Sequence, residues 1–448
     1  MIKKGNAIFS LFLKPGLLFK DYSKREIGVL VSLFLMHILS VGLSFLVNFT
    51  AIRLAGVNLY GQYIYLFNIL FILAGFCAFG ADTLLIKTIS VYQETNRYSH
   101  LKGVINYSIK FALLFSFAAA LILKLLSKYS NHFRILESYE SDILFFLILP
   151  MFSIGLIMQA SLQGLKKPIY SQVTEKIIRP ALLLLILGIF FIMGLRLSLF
   201  KLITINLVVV MVTILVSLFL LNRLIGSEIK KVGPLFEYKN WFRAAISFFI
   251  LDILFILNSR MDIVLLGMFR SDGDIGIYNI VSKISDLSGF VLVTVNFVIA
   301  PIIANLSGVL DKMKLQQLIT KSARFILVMS LPLILILILF RSQILGLFNI
   351  HSFVGELALI ILCFGQLVNV LFGSVGILLV MSGNQLESIW SLMVAISIGI
   401  ILNLVLTPVY GILGTAIASS SSMIIWNLRM YLFVRKKLSI RTTAFGKF

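Results

Sequence analysis

The sequence predicts an all-α membrane protein that crosses a lipid bilayer about twelve times. Sixty percent of its 448 residues are apolar and only 13% are charged. Mean hydropathy is +1.05, and the apolar residues are gathered in long continuous runs. A soluble chain carries roughly a quarter charged residues. So large an apolar surplus cannot be hidden in one aqueous core, and lipid must replace water around much of the surface.

A helix needs about 20 apolar residues to cross the hydrocarbon core. Runs of that kind occupy Ile27–Phe49, Gln62–Gly80, Val104–Leu126, Ile143–Gly164, Ile177–Gly194 and Leu202–Leu221 in the first half. The second half gives Phe242–Met268, Ile277–Leu306, Ala323–Phe340, Leu357–Met381, Ser388–Pro408 and Gly411–Val434. The runs do not alternate, which favours helices over barrel strands. Ahead of the first run, Phe9, Leu11, Phe12 and Leu13 are interrupted by Lys14-Pro15-Gly16. That stretch is too short to cross and shows no clear cleavage site, so it is read as an interfacial segment before an uncleaved signal-anchor.

Orientation follows from charge. With the amino terminus in the cytoplasm, 28 basic residues fall on inner segments and 9 on outer ones, with Lys110 and Lys283 inside spans. The threefold bias places both termini in the cytoplasm. It also accounts for the net charge of +21 without a nucleic-acid partner, because the excess is spread over six inner segments.

Catalytic constellations are not expected. The four histidines, His37, His100, His132 and His351, lie apart, and no phosphate-binding loop is present. Cys77 and Cys363 have no metal-ligand spacing. The longest outer loop, Ser127 to Asp142, is about 16 residues, little room for a substrate-processing domain. Neither enzyme activity nor a cofactor or metal is anticipated, and the partners expected are membrane lipids.

Six spans per half would make the halves parallel repeats. Gly61-Gln62-Tyr63 after the first span matches Gly276-Ile277-Tyr278 after the seventh, and Gly164 and Gly383 end spans four and ten. The expected organisation is an interfacial segment (1–26), a six-helix lobe (27–222), a cytoplasmic linker (223–241) containing Gly233-Pro234, a second lobe (242–434) and a basic tail (435–448).

Several blocks carry a resemblance. They are Arg53-Leu-Ala-Gly-Val-Asn-Leu-Tyr-Gly-Gln-Tyr63, Asp262-Ile-Val-Leu-Leu-Gly-Met-Phe269, Gly276-Ile-Tyr278 and Ala300-Pro301-Ile-Ile-Ala304. Further on come Gly365-Gln366, Asn369, Gly373, Gly376, Met381-Ser-Gly-Asn384 and Pro408-Val-Tyr-Gly411-Ile-Leu-Gly414-Thr-Ala416. In order and spacing they resemble the Wzx-type O-antigen and capsule flippases of the multidrug/oligosaccharidyl-lipid/polysaccharide exporter superfamily. The resemblance implies a MATE-like fold of two lobes around a central cavity. It implies transport of an undecaprenyl-pyrophosphate-linked oligosaccharide across a bacterial inner membrane, for lipopolysaccharide or other surface polysaccharide. A polysaccharide polymerase or chain-length protein would be the natural partner. A cation-coupled drug or metabolite exporter of the same fold is the alternative, and a membrane polymerase is disfavoured by the short outer loops.

Ionisable residues inside spans cost about 2.5–3.5 kcal/mol each on insertion scales, which makes each a functional candidate. Asp262 and Arg260 lie 10 and 12 residues before Asp272, and Lys283 and Asp286 lie 11 and 14 after it. Equal depth across that hairpin suggests the pairs Asp262–Lys283 and Arg260–Asp286. Either these form a self-neutralising structural network, or Arg260 and Lys283 meet pyrophosphate while the carboxylates hold them. Asp252, about 15 Å into span seven, and His37, equally deep in span one, are candidates for ion coupling, with a helix-packing hydrogen bond as the alternative for Asp252. Gln159, Gln163, Gln366 and Asn369 could bind sugar hydroxyls or join helices. Arg53 is an interface anchor or a cavity residue.

Overall fold

The computed structural model describes residues 24–445 apart from 128–138, 196, 226–228, 230 and 309–311. Most of the interfacial segment and of the outer loop Ser127–Asp142 lies outside the described residues. Among these, every regular element is a helix, as a lipid-embedded chain requires when each backbone N–H and C=O must be paired within its own segment.

The elements are α1 (Lys24–Ala55), α2 (Val57–Ala78), α3 (Ala81–Glu94), α4 (Tyr98–Ser127), α5 (Tyr139–Gly164) and α6 (Pro168–Val173). A π turn, Thr174–Ile178, joins α6 to α7 (Arg179–Ile192), followed by α8 (Leu199–Leu224) and α9 (Tyr238–Phe269). Then come α10 (Asp272–Asp286), a 3-10 turn (Leu287–Gly289), α11 (Phe290–Gly308), α12 (Lys312–Leu339) and α13 (Arg341–Leu347). The chain closes with α14 (Phe353–Phe372), α15 (Val375–Met381), α16 (Gln385–Tyr410) and α17 (Ile412–Lys437). Nine of the described helices are long and apolar enough to cross a membrane. Three further expected spans are less plainly apolar. The fifth is divided by the π turn, α9 carries Asp252, Arg260 and Asp262, and α17 carries Ser419–Ser422 and Arg429.

Several boundaries move. The second span does not end at Gly80: Phe79 (φ 50°) and Gly80 (φ 70°) turn the chain through left-handed conformations, and α3 carries the helix on to Glu94. Lys87 therefore lies on a helix. The fifth pass begins at Pro168, so Lys176 and Arg179 lie on helical turns and not on a loop.

By internal packing the chain divides into one unit, Leu35–Gly276, and another, Ile277–Phe448 with Met1–Phe34. The division falls after α9, which packs on α2 and α3, so the linker lies inside the first unit.

In the Leu35–Gly276 unit, Leu84, Leu85, Ile89, Leu101, Val104, Ile157 and Trp241 form one buried cluster. Leu66, Leu70, Ala74, Cys77, Leu149, Phe152 and Val210 form a second. The two motif glycines explain each other. A Cβ on Gly61 would lie 1.7 Å from the carbonyl oxygen of Asp272, and one on Gly276 2.4 Å from that of Val57. The first turns of α2 and α10 therefore press backbone on backbone, which only small residues permit. Gln62 Nε2 donates to Asp272 Oδ2 across the same contact (2.8 Å).

The linker is clasped to the turn between α3 and α4. Leu235 N donates to Ser99 O (3.0 Å), and Lys102 Nζ to Val232 O (3.0 Å). Glu237 receives Arg97 Nη2 at 2.7 Å and faces His100 Nε2 at 3.0 Å. Buried Trp241 donates its indole N–H to the Tyr92 hydroxyl (3.0 Å), the partner a buried indole needs.

In the other unit, Leu292, Val295, Ile299, Ile303, Ile319, Ile326, Val370, Leu378 and Met430 form the core. Gly373 (φ 64°) breaks the tenth pass between α14 and α15. Gly383 also takes a left-handed backbone (φ 78°), whereas after Gly164 that role falls to Lys166 (φ 58°). A Cβ on Gly164 would instead meet the Leu85 carbonyl oxygen at 2.8 Å, so the two glycines end their spans differently. The basic tail is folded back. Gln316 Nε2 donates to Arg441 O and Arg441 N donates to Gln316 Oε1, both at 2.8 Å. Arg324 Nε caps Ala444 O at 3.0 Å, and Ile440, Thr442 and Ala444 are buried.

Candidate functional site

Polar groups inside lipid-embedded helices need partners, so the partner of each in-span residue indicates what it can do. In the Leu35–Gly276 unit, α2 presents Tyr63, Phe67 and Phe71 at successive i,i+4 positions. The Tyr63 and Phe67 rings lie 4.5 Å apart, and Phe67 meets Phe152 of α5 edge-on at 5.7 Å. The Tyr63 hydroxyl accepts from Asn206 Nδ2 of α8 (2.7 Å).

Arg260 lies against this wall. Its guanidinium stands 4.6 Å over the Phe71 ring, and Nη1 donates to Asn68 Oδ1 at 3.1 Å. Its Nε is buried with no hydrogen-bond partner among the described residues. Arg179 joins the same region from the fifth pass, its guanidinium 4.9 Å over the Phe152 ring and ion-paired to Glu175 one turn back. Arg179 is close enough for its charge to act on both Arg260 and Tyr63. Asp262, two residues beyond Arg260, accepts the Ile263 backbone N–H (2.8 Å) and also acts electrostatically on Arg260.

Asp252 lies deeper in α9. The Thr83 hydroxyl donates to its Oδ1 (2.9 Å), and the Asp82 carboxyl is its neighbour. Thr83 and Asp82 open α3 directly after the Phe79–Gly80 break, so the break carries these two side chains to Asp252. His37 is half-buried in α1, within reach of the Lys176 charge. Arg53, in the last turn of α1, is exposed over Phe49 at 5.3 Å. Gln163 is the penultimate residue of α5, half-buried at the end of its helix.

In the other unit a chain of amides runs inward from a carboxylate. Gln366 Nε2 donates to Asp286 Oδ1 (3.3 Å), Asn369 Nδ2 to Gln366 Oε1 (3.3 Å) and Asn427 Nδ2 to Asn369 Oδ1 (3.1 Å). Lys283 Nζ is 4.0 Å from Asp286 Oδ2, the i,i+3 neighbour that shares its helix face. Arg260 and Asp262 thus belong to one unit, and Lys283 and Asp286 to the other.

The structure therefore gathers Gln366, Asn369, Asp286 and Lys283 in one network. Sequence reasoning missed Arg179, Asn68, Asn206, Asp82 and Asn427. For Arg179 a signal was present in the Glu175–Arg179 spacing, which lets a charge pair lie inside a helix. The others pair with residues 58 to 192 positions away and leave no local signature. Among the described residues no three His, Cys, Asp or Glu side chains converge as a metal site.

A family model described as polysaccharide biosynthesis protein matches residues 29–307, and one described as MatE matches 244–409. No curated protein matches the sequence. An inward-facing multidrug resistance MATE family transporter of the MOP superfamily superposes with a TM-score of 0.67 at 14% identity, covering 89% of this chain and 94% of that one. The lipid II flippase MurJ in an inward closed conformation gives 0.67 at 18%, covering 90% and 87%. A MOP superfamily transporter from Pyrococcus furiosus, described as having a binding pocket of reversed polarity, gives 0.59 at 14%, covering 92% and 95%. At these identities the likeness is one of fold.

Proposed function

Because the chain belongs to the polysaccharide biosynthesis protein family and has the fold of MOP-superfamily transporters, we propose that it flips undecaprenyl-pyrophosphate-linked oligosaccharide units across the bacterial cytoplasmic membrane. It is a multi-pass membrane transporter. In the proposed orientation both termini are cytoplasmic.

The observation that supports this substrate is Arg260. A bare diphosphate cannot cross about 30 Å of hydrocarbon, because an uncompensated anion in low dielectric is prohibitively unstable. The lipid tail can stay in the bilayer, so the protein need shelter only the phosphates and sugars. A guanidinium offers a planar fork for two phosphate oxygens. Arg260 is held by Asn68 and Phe71 with one buried donor still unsatisfied among the described residues, and an unmet buried donor calls for an acceptor. Asp262 nearby tempers the attraction, so that cargo can leave. Lys283 and Arg53 are further cationic contacts in this reading, and Gln163, Gln366 and Asn369 contacts for sugar hydroxyls. Asp252 and His37 are the coupling candidates.

The MatE match over residues 244–409 favours a second reading, a cation-coupled exporter of drugs or metabolites. Deletion in the native host separates the two. Loss of surface polysaccharide with accumulation of its lipid-linked repeat supports the flippase. Unchanged polysaccharide with new drug sensitivity supports the exporter. In the complemented deletion strain, Arg260→Gln should abolish polysaccharide export at normal membrane levels and Arg260→Lys should retain part of it. Normal export by Arg260→Gln would remove this residue from the mechanism.

A further inference from the structure

We propose that Arg179 is a second substrate-binding residue, which grips the substrate diphosphate together with Arg260 and makes the site select diphosphate over monophosphate. The inference rests on the flippase reading above and adds a residue and a selectivity to it.

The first ground is depth. The fifth pass runs from Pro168 to Ile192 as α6, the π turn that divides it, and α7, with no non-helical residue between them. Arg179 has 11 residues of helix before it and 13 after, about 16 and 20 Å at 1.5 Å per residue. That places the charge well inside the pass.

The second ground is how the helix delivers it. The backbone N–H of Arg179 bonds the carbonyl of Thr174, five residues back, which closes the π turn. Pro180 follows and has no N–H to offer. A π turn inserts one residue and rotates everything beyond it by about 100°. Such bulges are frequent at functional sites.

The third ground is the company Arg179 keeps. Its side chain is 17% exposed, stacked on Phe152 and paired with Glu175. Phe152 meets Phe67, two turns of α2 carry Phe67 and Phe71, and Phe71 carries the Arg260 guanidinium. Two guanidiniums on one aromatic wall repel each other, all the more where water is scarce. A group with a negative charge on each of two linked phosphorus centres relieves that repulsion, one fork to each phosphate. A monophosphate can occupy only one fork fully. Glu175 holds Arg179 in this conformation and competes with the incoming phosphate, so binding stays reversible.

The test uses the full chain purified into lipid nanodiscs, with undecaprenyl pyrophosphate and undecaprenyl phosphate as probes in a direct binding titration. The wild type should prefer the diphosphate by about tenfold or more, the scale of a charge-assisted hydrogen bond. Arg179→Gln should lose most of that preference while binding the monophosphate within about threefold of wild type, by the same scale. Glu175→Gln should bind the diphosphate at least as tightly as wild type. Diphosphate preference unchanged in a monodisperse Arg179→Gln protein would overturn the role of Arg179. Should that variant not fold, Arg179→Lys decides: a weakened preference supports the proposal and an intact one refutes it. A wild type that binds neither lipid would sink the flippase reading itself, an outcome distinct from loss of Arg179 alone.

Discussion

Replacing Gly61 with alanine tests the closest backbone contact in the Leu35–Gly276 unit. The added Cβ would lie 1.7 Å from the Asp272 carbonyl oxygen, 2.7 Å from its carbon and 2.9 Å from the Gly276 nitrogen. These are backbone atoms and cannot rotate aside. Relief to ordinary contact requires the first turns of α2 and α10 to part by roughly 1.5 Å, an overpacking strain of about 1–3 kcal/mol. Parting also stretches the Gln62–Asp272 hydrogen bond, worth about 0.5–1.5 kcal/mol. Against this, alanine gains about 1 kcal/mol over glycine as a helix former. The net expectation is a loss of about 1–3 kcal/mol, or several degrees in melting temperature. Gly155→Ala is the control: it is helical with nothing within 4 Å of its Cβ, so only the gain remains. The assay is thermal unfolding of both variants in the same detergent. A Gly61→Ala protein that melts with the wild type would refute the packing argument.

Glu237 gives a pH prediction. Hydrogen bonds from Asn240 and then Arg97, together with the Arg97 charge, hold its carboxyl below the ordinary 4.5. A lowered folded value means the clasp is fully stabilising above pH 4.5 and fades as pH falls through the lower value. Trp241 emission, read with Trp390 and Trp426 changed to Phe, should be constant from neutral pH to about 5 and shift below it. Glu237→Gln should show the shift at neutral pH, and a transition centred above pH 5 would contradict the assignment. Lys283→Ala, which also removes the contact with Asp286, should impair export. A silent Lys283→Ala would remove Lys283 from the mechanism. For topology, single cysteines near Tyr60 and Asp272, at exposed Asn58 and Ser271, should label from outside intact cells. Labelling at Lys231 would reverse the orientation.

The fold was legible because hydropathy needs no long-range information: continuous runs of 20 apolar residues have few alternatives to a spanning helix. The fifth span shows where that logic stops. Hydropathy counts Glu175 and Lys176 as expelled from lipid, and so starts the span at Ile177. In the structure Arg179 is neutralised by Glu175 and covered by Phe152, which lets the charges lie within the helix. The tail was hidden for a different reason. Its basic residues read as a solvated end, yet Ile440, Thr442 and Ala444 alternate with polar neighbours in the period of an extended segment, and all three are buried. Site partners such as Asn68 for Arg260 are separated by 192 positions, and only tertiary packing reveals them.

The clasp between Gln316 and the Arg441 backbone also sets a clock on biogenesis. Its two halves lie 125 residues apart. At about 5–20 residues per second, the ribosome reaches Arg441 roughly 6–25 s after Gln316. Through that interval α12 waits in the membrane with the Gln316 amide lacking its Arg441 partners, though Nε2 can still meet the Thr320 hydroxyl, and with the surface for Ile440 and Thr442 uncovered. The stretch that closes this site follows α12 by more than a hundred residues, so the second unit reaches its final packing only once that stretch has been made. A nascent chain stalled before Arg441 would present to the membrane's quality-control proteases an opening that the finished protein does not have.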